Sequence, residues 1–138
     1  MKYAWLLISC VILLIIIVMA GIMLTRPVRT ETIAMHVKVD DYVGINLDTD
    51  KVYFGTVSPG NEGTRDVNLV SSCRSVVTFT PTGEMSPWVK AVPSSTIIEK
   101  DEEQKVYFVV AIPQNTPFGN YTGEIRIDFY RPILNIFI

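Results

Sequence analysis

Apolar and polar residues follow two different patterns along the chain, one in the first 25 residues and another through the rest. Residues 3–24 carry no charge and consist mainly of Leu, Ile and Val. About twenty-two helical residues at roughly 1.5 Å each reach across the ~30 Å hydrocarbon core of a bilayer. Tyr3 and Trp5 stand at one end, where such rings favour the headgroup level. The pattern predicts a transmembrane anchor within residues 1–25.

A cleaved signal peptide is the alternative to this anchor, since Val18-Met19-Ala20 has tolerated residues at the cleavage positions. The apolar run exceeds the ~7–15 residues of a signal-peptide core, which favours an uncleaved anchor. Leu7-Ile8-Ser9-Cys10 matches a lipoprotein processing box. That box falls too early and more membrane-type sequence follows it, so we interpret it as a chance match.

The charges flanking the anchor give conflicting indications of its orientation. Lys2 lies on one side and Arg26 and Arg29 on the other, so the positive-inside rule alone leans towards a cytoplasmic domain. The very short tail before the apolar run is typical of a signal anchor, and long domains translocate largely regardless of charge. We therefore expect a single-pass protein of the cell membrane with its domain outside the cytoplasm.

Beyond a short polar stalk at residues 26–32, apolar and polar residues alternate, and no helical period occurs. At residues 105–112 the even positions are apolar and predict the buried face of a long strand. Residues 81–87 interrupt the alternation and predict a loop. Seven or eight short strands at this spacing predict an all-β domain over residues 33–138, folded as an antiparallel β-sandwich.

The alternation is clearest at residues 121–130. One face holds Gly123 and apolar residues, and the other is polar. The predicted inward face is Tyr121, Gly123, Ile125, Ile127 and Phe129, and the predicted outward face is Thr122, Glu124, Arg126, Asp128 and Tyr130.

Residues 133–138 form an apolar stretch after Arg131-Pro132. One interpretation is an edge strand that completes the sandwich. The other is a segment that dips into the membrane or adds as a strand to another subunit. Under the second interpretation, Ile136 and Phe137 are candidate partner-binding residues.

Two segments resemble a known class of module. Residues 52–60 (VYFGTVSPG), followed by Val67-Asn68-Leu69, resemble the opening of immunoglobulin-like modules of the ASH/hydin and major-sperm-protein type. Residues 113–127, which contain PFGNYTG, resemble the closing strands of the same class. The resemblance implies an immunoglobulin-like sandwich of the kind found in prokaryotic surface proteins. It implies binding or scaffolding and supplies no catalytic residues.

Charge and cysteine use narrow the function classes. The chain has 12 Lys+Arg and 14 Asp+Glu, a net charge of −2 with both signs scattered, whereas nucleic-acid binding calls for a basic stripe. Cys10 lies in the anchor and Cys73 in the domain, so no intramolecular disulfide is expected. A cross-link between two copies through Cys73 is the less favoured alternative to an inert thiol.

Few residues suggest catalysis, and we expect no enzyme, cofactor or small-molecule substrate. His36 is the single histidine and is predicted to face away from the apolar side of its strand. One histidine and one soluble cysteine are too few for a zinc site, and no phosphate-binding loop precedes a helix. Calcium binding by Asp40, Asp41, Asp48 and Asp50 is an alternative to their ordinary role in turns.

The remaining candidates concern binding. Trp88 and Phe118 are candidate partner-binding residues, with core packing as the alternative for both. Asn120-Tyr121-Thr122 is an N-glycosylation sequon, so Asn120 is a candidate acceptor. The expected function is non-catalytic, with the external domain binding or positioning a protein partner at the envelope. The alternative is an accessory or stator-like subunit of a larger membrane machine, such as an archaellum or secretion complex.

Overall fold

The computed structural model describes residues 2–41 and 52–132, which form one apolar helix followed by an all-β domain, as predicted. Val43, Ile45 and Leu47 alternate with Gly44 and Asn46, which predicts a strand at 43–47, but this segment and the apolar stretch at 133–138 lie outside the described residues. Within the described ranges there are eight strands, in agreement with the expected number. The elements are α1 (Lys2–Thr25), β1 (Arg29–Val39), β2 (Val52–Val57), β3 (Glu62–Val70), β4 (Ser75–Gly83), β5 (Val89–Val92), β6 (Ser95–Ile98), β7 (Glu103–Ala111) and β8 (Gly119–Tyr130).

Helix α1 has the length and composition of a membrane span. Its stretch Tyr3–Thr25 is apolar enough to cross a bilayer, and the most apolar part is not buried against the β-domain. At its end the Thr25 hydroxyl donates a hydrogen bond back to the Gly21 carbonyl, one turn earlier, at 3.1 Å. Pro27 then disfavours helical backbone at the residue before it.

The joint between helix and domain is shorter than the predicted stalk. Strand β1 begins at Arg29, so residues 29–32 belong to the sheet. The Val28 N–H already donates to the Phe129 carbonyl of β8 at 2.7 Å. Arg26 and Pro27 therefore separate the helix from the first residue bonded to the sheet.

The strands form two sheets. One has five strands in the order β2-β1-β8-β4-β6, and the other has three in the order β3-β7-β5. Among the described strands the pairs are antiparallel, as predicted, except β1 with β2, which run parallel. A parallel pair needs a connection of about a dozen residues, which the segment between Val39 and Val52 supplies.

The core lies between the two sheets. The predicted inward face of β7 is buried, and Phe108 packs edge to face on Phe79 of β4 with ring centroids 5.6 Å apart, which joins the sheets. The buried apolar residues are Met35, Val37, Val39, Val52, Val57, Leu69, Val77, Phe79, Met85, Val89, Ile98, Val106, Phe108, Val110, Ile112, Ile125, Ile127 and Phe129.

Strand β4 continues into the first part of the segment 81–87 that was predicted as a loop, since Pro81 pairs with Ile125 of β8 and the strand ends at Gly83; the loop begins after it. Thr78 is the last residue of β4 that pairs with β6. Beyond it one side of β4 has no partner strand within the described residues, and a strand edge is where a proline without an N–H is tolerated.

Strand β8 follows the predicted alternation with one exception, Asp128. It was predicted to face outward with Thr122, Glu124 and Arg126, yet it is only 3% exposed. The Thr30 hydroxyl donates to its Oδ1 at 2.7 Å and Arg126 Nε donates to its Oδ2 at 3.0 Å. A carboxylate can be buried when its oxygens are paired in this way.

Candidate functional site: the far end of the domain

The β-domain has two distinct ends because β1 and β8 pair along their whole length. Arg29 lies opposite Phe129 beside the helix joint, and Val39 lies opposite Gly119. Ten strand steps of about 3.3 Å separate these positions by roughly 33 Å. We call the end beside the helix joint the near end, and the end formed by loops 58–61, 84–88 and 112–118 the far end.

Backbone hydrogen bonds hold the far-end loops together. The Gly60 N–H donates to the Ile112 carbonyl at 2.8 Å, and the Ile112 N–H donates to the Asn61 carbonyl at 3.0 Å. The Ala111 N–H donates to the Trp88 carbonyl at 2.9 Å. Gly60 has a positive φ of 81°, which suits glycine at this turn. The three loops therefore form one connected surface.

Two aromatic residues support the loop before β8. The Tyr121 hydroxyl donates to the Pro117 carbonyl at 2.9 Å, four residues back along the chain. The Trp88 ring packs edge to face on Tyr121, with centroids 5.0 Å apart. Trp88 and Tyr121 are both partly buried against the core. This support fixes the backbone on which Phe118 stands.

The two aromatic residues singled out from the sequence have different environments. Trp88 is half-buried and packs on the core, which favours the structural interpretation of its role. Phe118 is 59% exposed at the far end. A large apolar side chain held in water on a supported loop has the character of an interface anchor. Ile136 and Phe137 lie outside the described residues.

Asn120 and Cys73 are both accessible, at opposite ends of the domain. Asn120 is exposed at the start of β8, opposite Lys38 of β1. Its modification stays a prediction. Cys73 is a free, exposed thiol in the turn between β3 and β4 at the near end.

The candidates for metal binding are not brought together by the described part of the chain. Within residues 2–41 and 52–132, no three His, Cys, Asp or Glu residues are grouped so that they could hold a metal ion. Asp48 and Asp50 lie outside these ranges, so calcium binding stays a prediction. Asp40 forms an ion pair with Lys38 at 2.9 Å. His36 is half-buried, with its ring 4.6 Å from that of Tyr53 on β2.

The chain matches no protein-family model, no curated protein and no solved structure. The resemblance to the ASH/hydin and major-sperm-protein modules therefore has no support from relatives. A functional assignment for the chain therefore depends on the geometry of the molecule itself.

Proposed function

We propose that this protein is a non-catalytic, single-pass membrane protein whose far end binds a protein partner at the cell envelope. Phe118 carries the proposal, because its ring is more than half exposed on a loop whose backbone Tyr121 supports. Interfaces are typically anchored by rigid aromatic side chains of this kind. The partner recognises a fixed surface, with little loop ordering to oppose binding.

The helix joint supports a positioning role for the domain. With Arg26 and Pro27 as the linker, α1 in a bilayer holds the near end at the membrane surface. The far end then stands roughly 33 Å further out, at the position where a second envelope protein is met first.

The fold proposed for the domain is an immunoglobulin-like sandwich. Two packed sheets with a shared core support it. So does the Tyr121 hydroxyl, which donates to a backbone carbonyl a few residues upstream of its strand, as the tyrosine corner of such domains does.

A second candidate function is a stator-like subunit of a membrane machine, and the way α1 enters the sheet favours it. Helix α1 leads into β1, which is paired on both sides, with β2 and with β8. A force pulling along the helix loads eleven residue pairs of β1 with β8 in parallel, and this arrangement resists extension.

The orientation of the domain is tested by labelling Cys73 in intact cells with a membrane-impermeant maleimide. Because Cys73 is exposed and Cys10 lies in the apolar helix, the expected result is labelling before lysis, absent in a Cys73→Ser control. Labelling of the native protein only after lysis would place the domain in the cytoplasm and refute the proposal.

The binding surface is tested by placing a photo-crosslinking amino acid at Phe118 in native membranes. Val70 is a matched control, because it is also 59% exposed but lies at the near end, opposite Glu103 of β7. We expect one discrete crosslinked product from position 118 and none from position 70. Crosslinks of equal yield from both positions would contradict a far-end interface.

A further inference from the structure

A groove of about 570 Å³ lies on the outer face of the five-stranded sheet, towards the far end. Strand register explains its position. In one row across the sheet, His36 of β1 lies between Tyr53 of β2 and Thr122 of β8. In the next row, Glu124 of β8 lies between a residue of β1 and one of β4. Those two neighbours are Ala34 and Thr82.

Two paired glycines lie beneath the floor of the groove. Gly83 pairs with Gly123 between the row of Thr122 and the row of Glu124, and position 123 faces the core rather than the groove. A Cβ on Gly123 would lie 2.6 Å from Met35 Cε and 2.7 Å from the Thr82 carbonyl oxygen. Gly83 has a positive φ of 84°, which disfavours any side chain there. Packing against the core therefore requires glycine at 123, and the backbone conformation favours glycine at 83.

The two walls differ in chemistry. On the β1–β2 side stand the rings of His36 and Tyr53, 4.6 Å apart. On the β8–β4 side stand two exposed carboxylates, those of Glu84 and Glu124. Among the described residues that line the groove there is no lysine or arginine.

Two basic residues near the groove form ion pairs with acidic residues outside it. Lys38 forms an ion pair with Asp40 at 2.9 Å, and Arg126 with Asp128 at 3.0 Å. Within the described part of the chain, neither Glu84 nor Glu124 takes part in an ion pair. The groove thus presents two carboxylates that form no ion pair with any residue in the described ranges.

We propose that the groove binds a long cationic side chain, lysine or arginine, from an extended segment of a partner protein. The aliphatic stem lies on the floor beside Ala34 and Thr122, against the wall formed by the His36 and Tyr53 rings. Glu84 and Glu124 accept its hydrogen bonds, which are strong because both groups are charged. The groove therefore implies that the partner presents a lysine or arginine, an inference that rests on the proposed function.

The probe is the full chain in nanodiscs of zwitterionic phosphatidylcholine, so that cationic peptides are not drawn to the bilayer. Three capped peptides, Gly-Gly-X-Gly-Gly with X as lysine, arginine or norleucine, are titrated while backbone amide resonances are followed by NMR. We expect saturable shifts at Gly83, Gly123 and Glu124 with the two cationic peptides, at Kd values of about 1 mM. The uncharged norleucine peptide leaves these amides unmoved.

Two double variants then distinguish binding by Glu84 and Glu124 from a non-specific attraction of cationic peptides to any acidic surface. Glu84→Gln/Glu124→Gln is expected to weaken binding of the lysine peptide about tenfold or more. Glu62→Gln/Glu102→Gln changes net charge equally but alters exposed residues outside the groove, and is expected to leave binding within about twofold. Equal weakening by both pairs, shifts with norleucine, or no shift with either cation would overturn the site.

Failure of this site is distinguishable from failure of the proposed function. A specific crosslink at Phe118 that the Glu84→Gln/Glu124→Gln variant does not change refutes the groove alone. Peptide binding in the groove without any specific crosslink at Phe118 refutes the far-end loop as the partner interface and leaves the cationic site standing.

Discussion

The two halves of β8 have the same alternating pattern but different roles. From Gly119 to Glu124 every residue is exposed or half-buried, and this half supports the Phe118 loop and lines the groove. From Ile125 to Tyr130 it supplies three core residues and the buried Asp128. Strand β4 ends opposite Gly123, so residues 119–122 pair with β1 alone within the described residues. We infer that the first half serves binding and the second serves stability.

The largest expected effect tests the second half. Ile127 is fully buried and lies opposite Phe79, so Ile127→Ala leaves a cavity and lowers the free energy of unfolding by about 2–5 kcal/mol. The measurement is a guanidinium titration of the full chain in detergent, followed by circular dichroism. Thr122→Ala in the first half is the control, expected to change it by less than about 0.5 kcal/mol. Similar losses in the two variants would remove the distinction.

Two acidic residues of β8 sharpen the comparison. Asp128→Ala leaves the donors of Thr30 and Arg126 without their acceptor, and is expected to cost about 1–3 kcal/mol of unfolding free energy. Asp128→Asn retains an acceptor oxygen and recovers part of this loss. Glu124→Ala, on the exposed half, leaves stability unchanged within error in the same titration. A Glu124→Ala variant as unstable as Asp128→Ala would show that Glu124 is structural.

Two glycines of the first half test the floor of the groove. Gly123→Ala places a methyl group against Met35 and the Thr82 carbonyl, and is expected to cost about 1–3 kcal/mol in thermal or denaturant unfolding. At Gly119 the nearest atom to a new Cβ is Tyr121 Cε2 at 3.9 Å, an ordinary contact. Gly119→Ala is therefore tolerated. If both variants retained full stability, the floor would be adaptable rather than fixed.

The smallest expected loss of stability comes from removing an exposed ion pair on the three-stranded sheet. It is the counterpart of the loss expected on removing the buried carboxylate of Asp128. Lys105 Nζ lies 3.2 Å from Asp66 Oδ2, and its hydrogen bond holds the pKa of Asp66 below its ordinary value of 3.8. The same contact raises the pKa of Lys105 above 10.5. The pair therefore stabilises the fold between these two ordinary values, and the contribution is lost as pH falls through the lowered pKa or rises through the raised one.

Asp66→Asn removes this contribution, so its melting temperature is expected to fall slightly below that of the parent at neutral pH. The gap narrows below about pH 3.8, where the unfolded-state carboxyl is protonated and the parent progressively loses the pair. Glu62→Gln, on the same strand, is the control, because it removes one negative charge that takes part in no ion pair among the described residues. A gap of constant size down to pH 2 would show that charge at Asp66 is not its origin.

Local pattern was sufficient for much of the fold. The period of two placed Val106, Phe108 and Val110 on the buried face of β7, because burial of one sheet face dictates that period, and it also marked the buried Ile112 that follows the strand. It did not reveal the buried Asp128, since burial there depends on Thr30, 98 residues away. Nor did it reveal the extension of β4 through Pro81. That extension depends on the pairing with β6 ending at Thr78 while the pairing with β8 continues to Gly83.

The groove could not be found from sequence for a related reason. Gly83 and Gly123 look like ordinary turn and strand glycines until the register sets them opposite each other. Alternation correctly placed Glu124 on the outer face, yet it gave no indication that Glu84 and Tyr53 reach the same surface. The exposure of Phe118 likewise depends on how the far-end loops are bonded to one another.

The two-residue joint also has a consequence for how the domain faces its neighbours. With only Arg26 and Pro27 between α1 and residues bonded to the sheet, few backbone dihedrals are available to turn the sheet relative to the helix, and proline fixes one of them. The apolar surface of α1 extends all round, so lipid alone favours no particular rotation. A second helix packed beside α1 in the bilayer would therefore favour one rotation of the domain about the membrane normal. That rotation decides which neighbouring proteins the groove and Phe118 face.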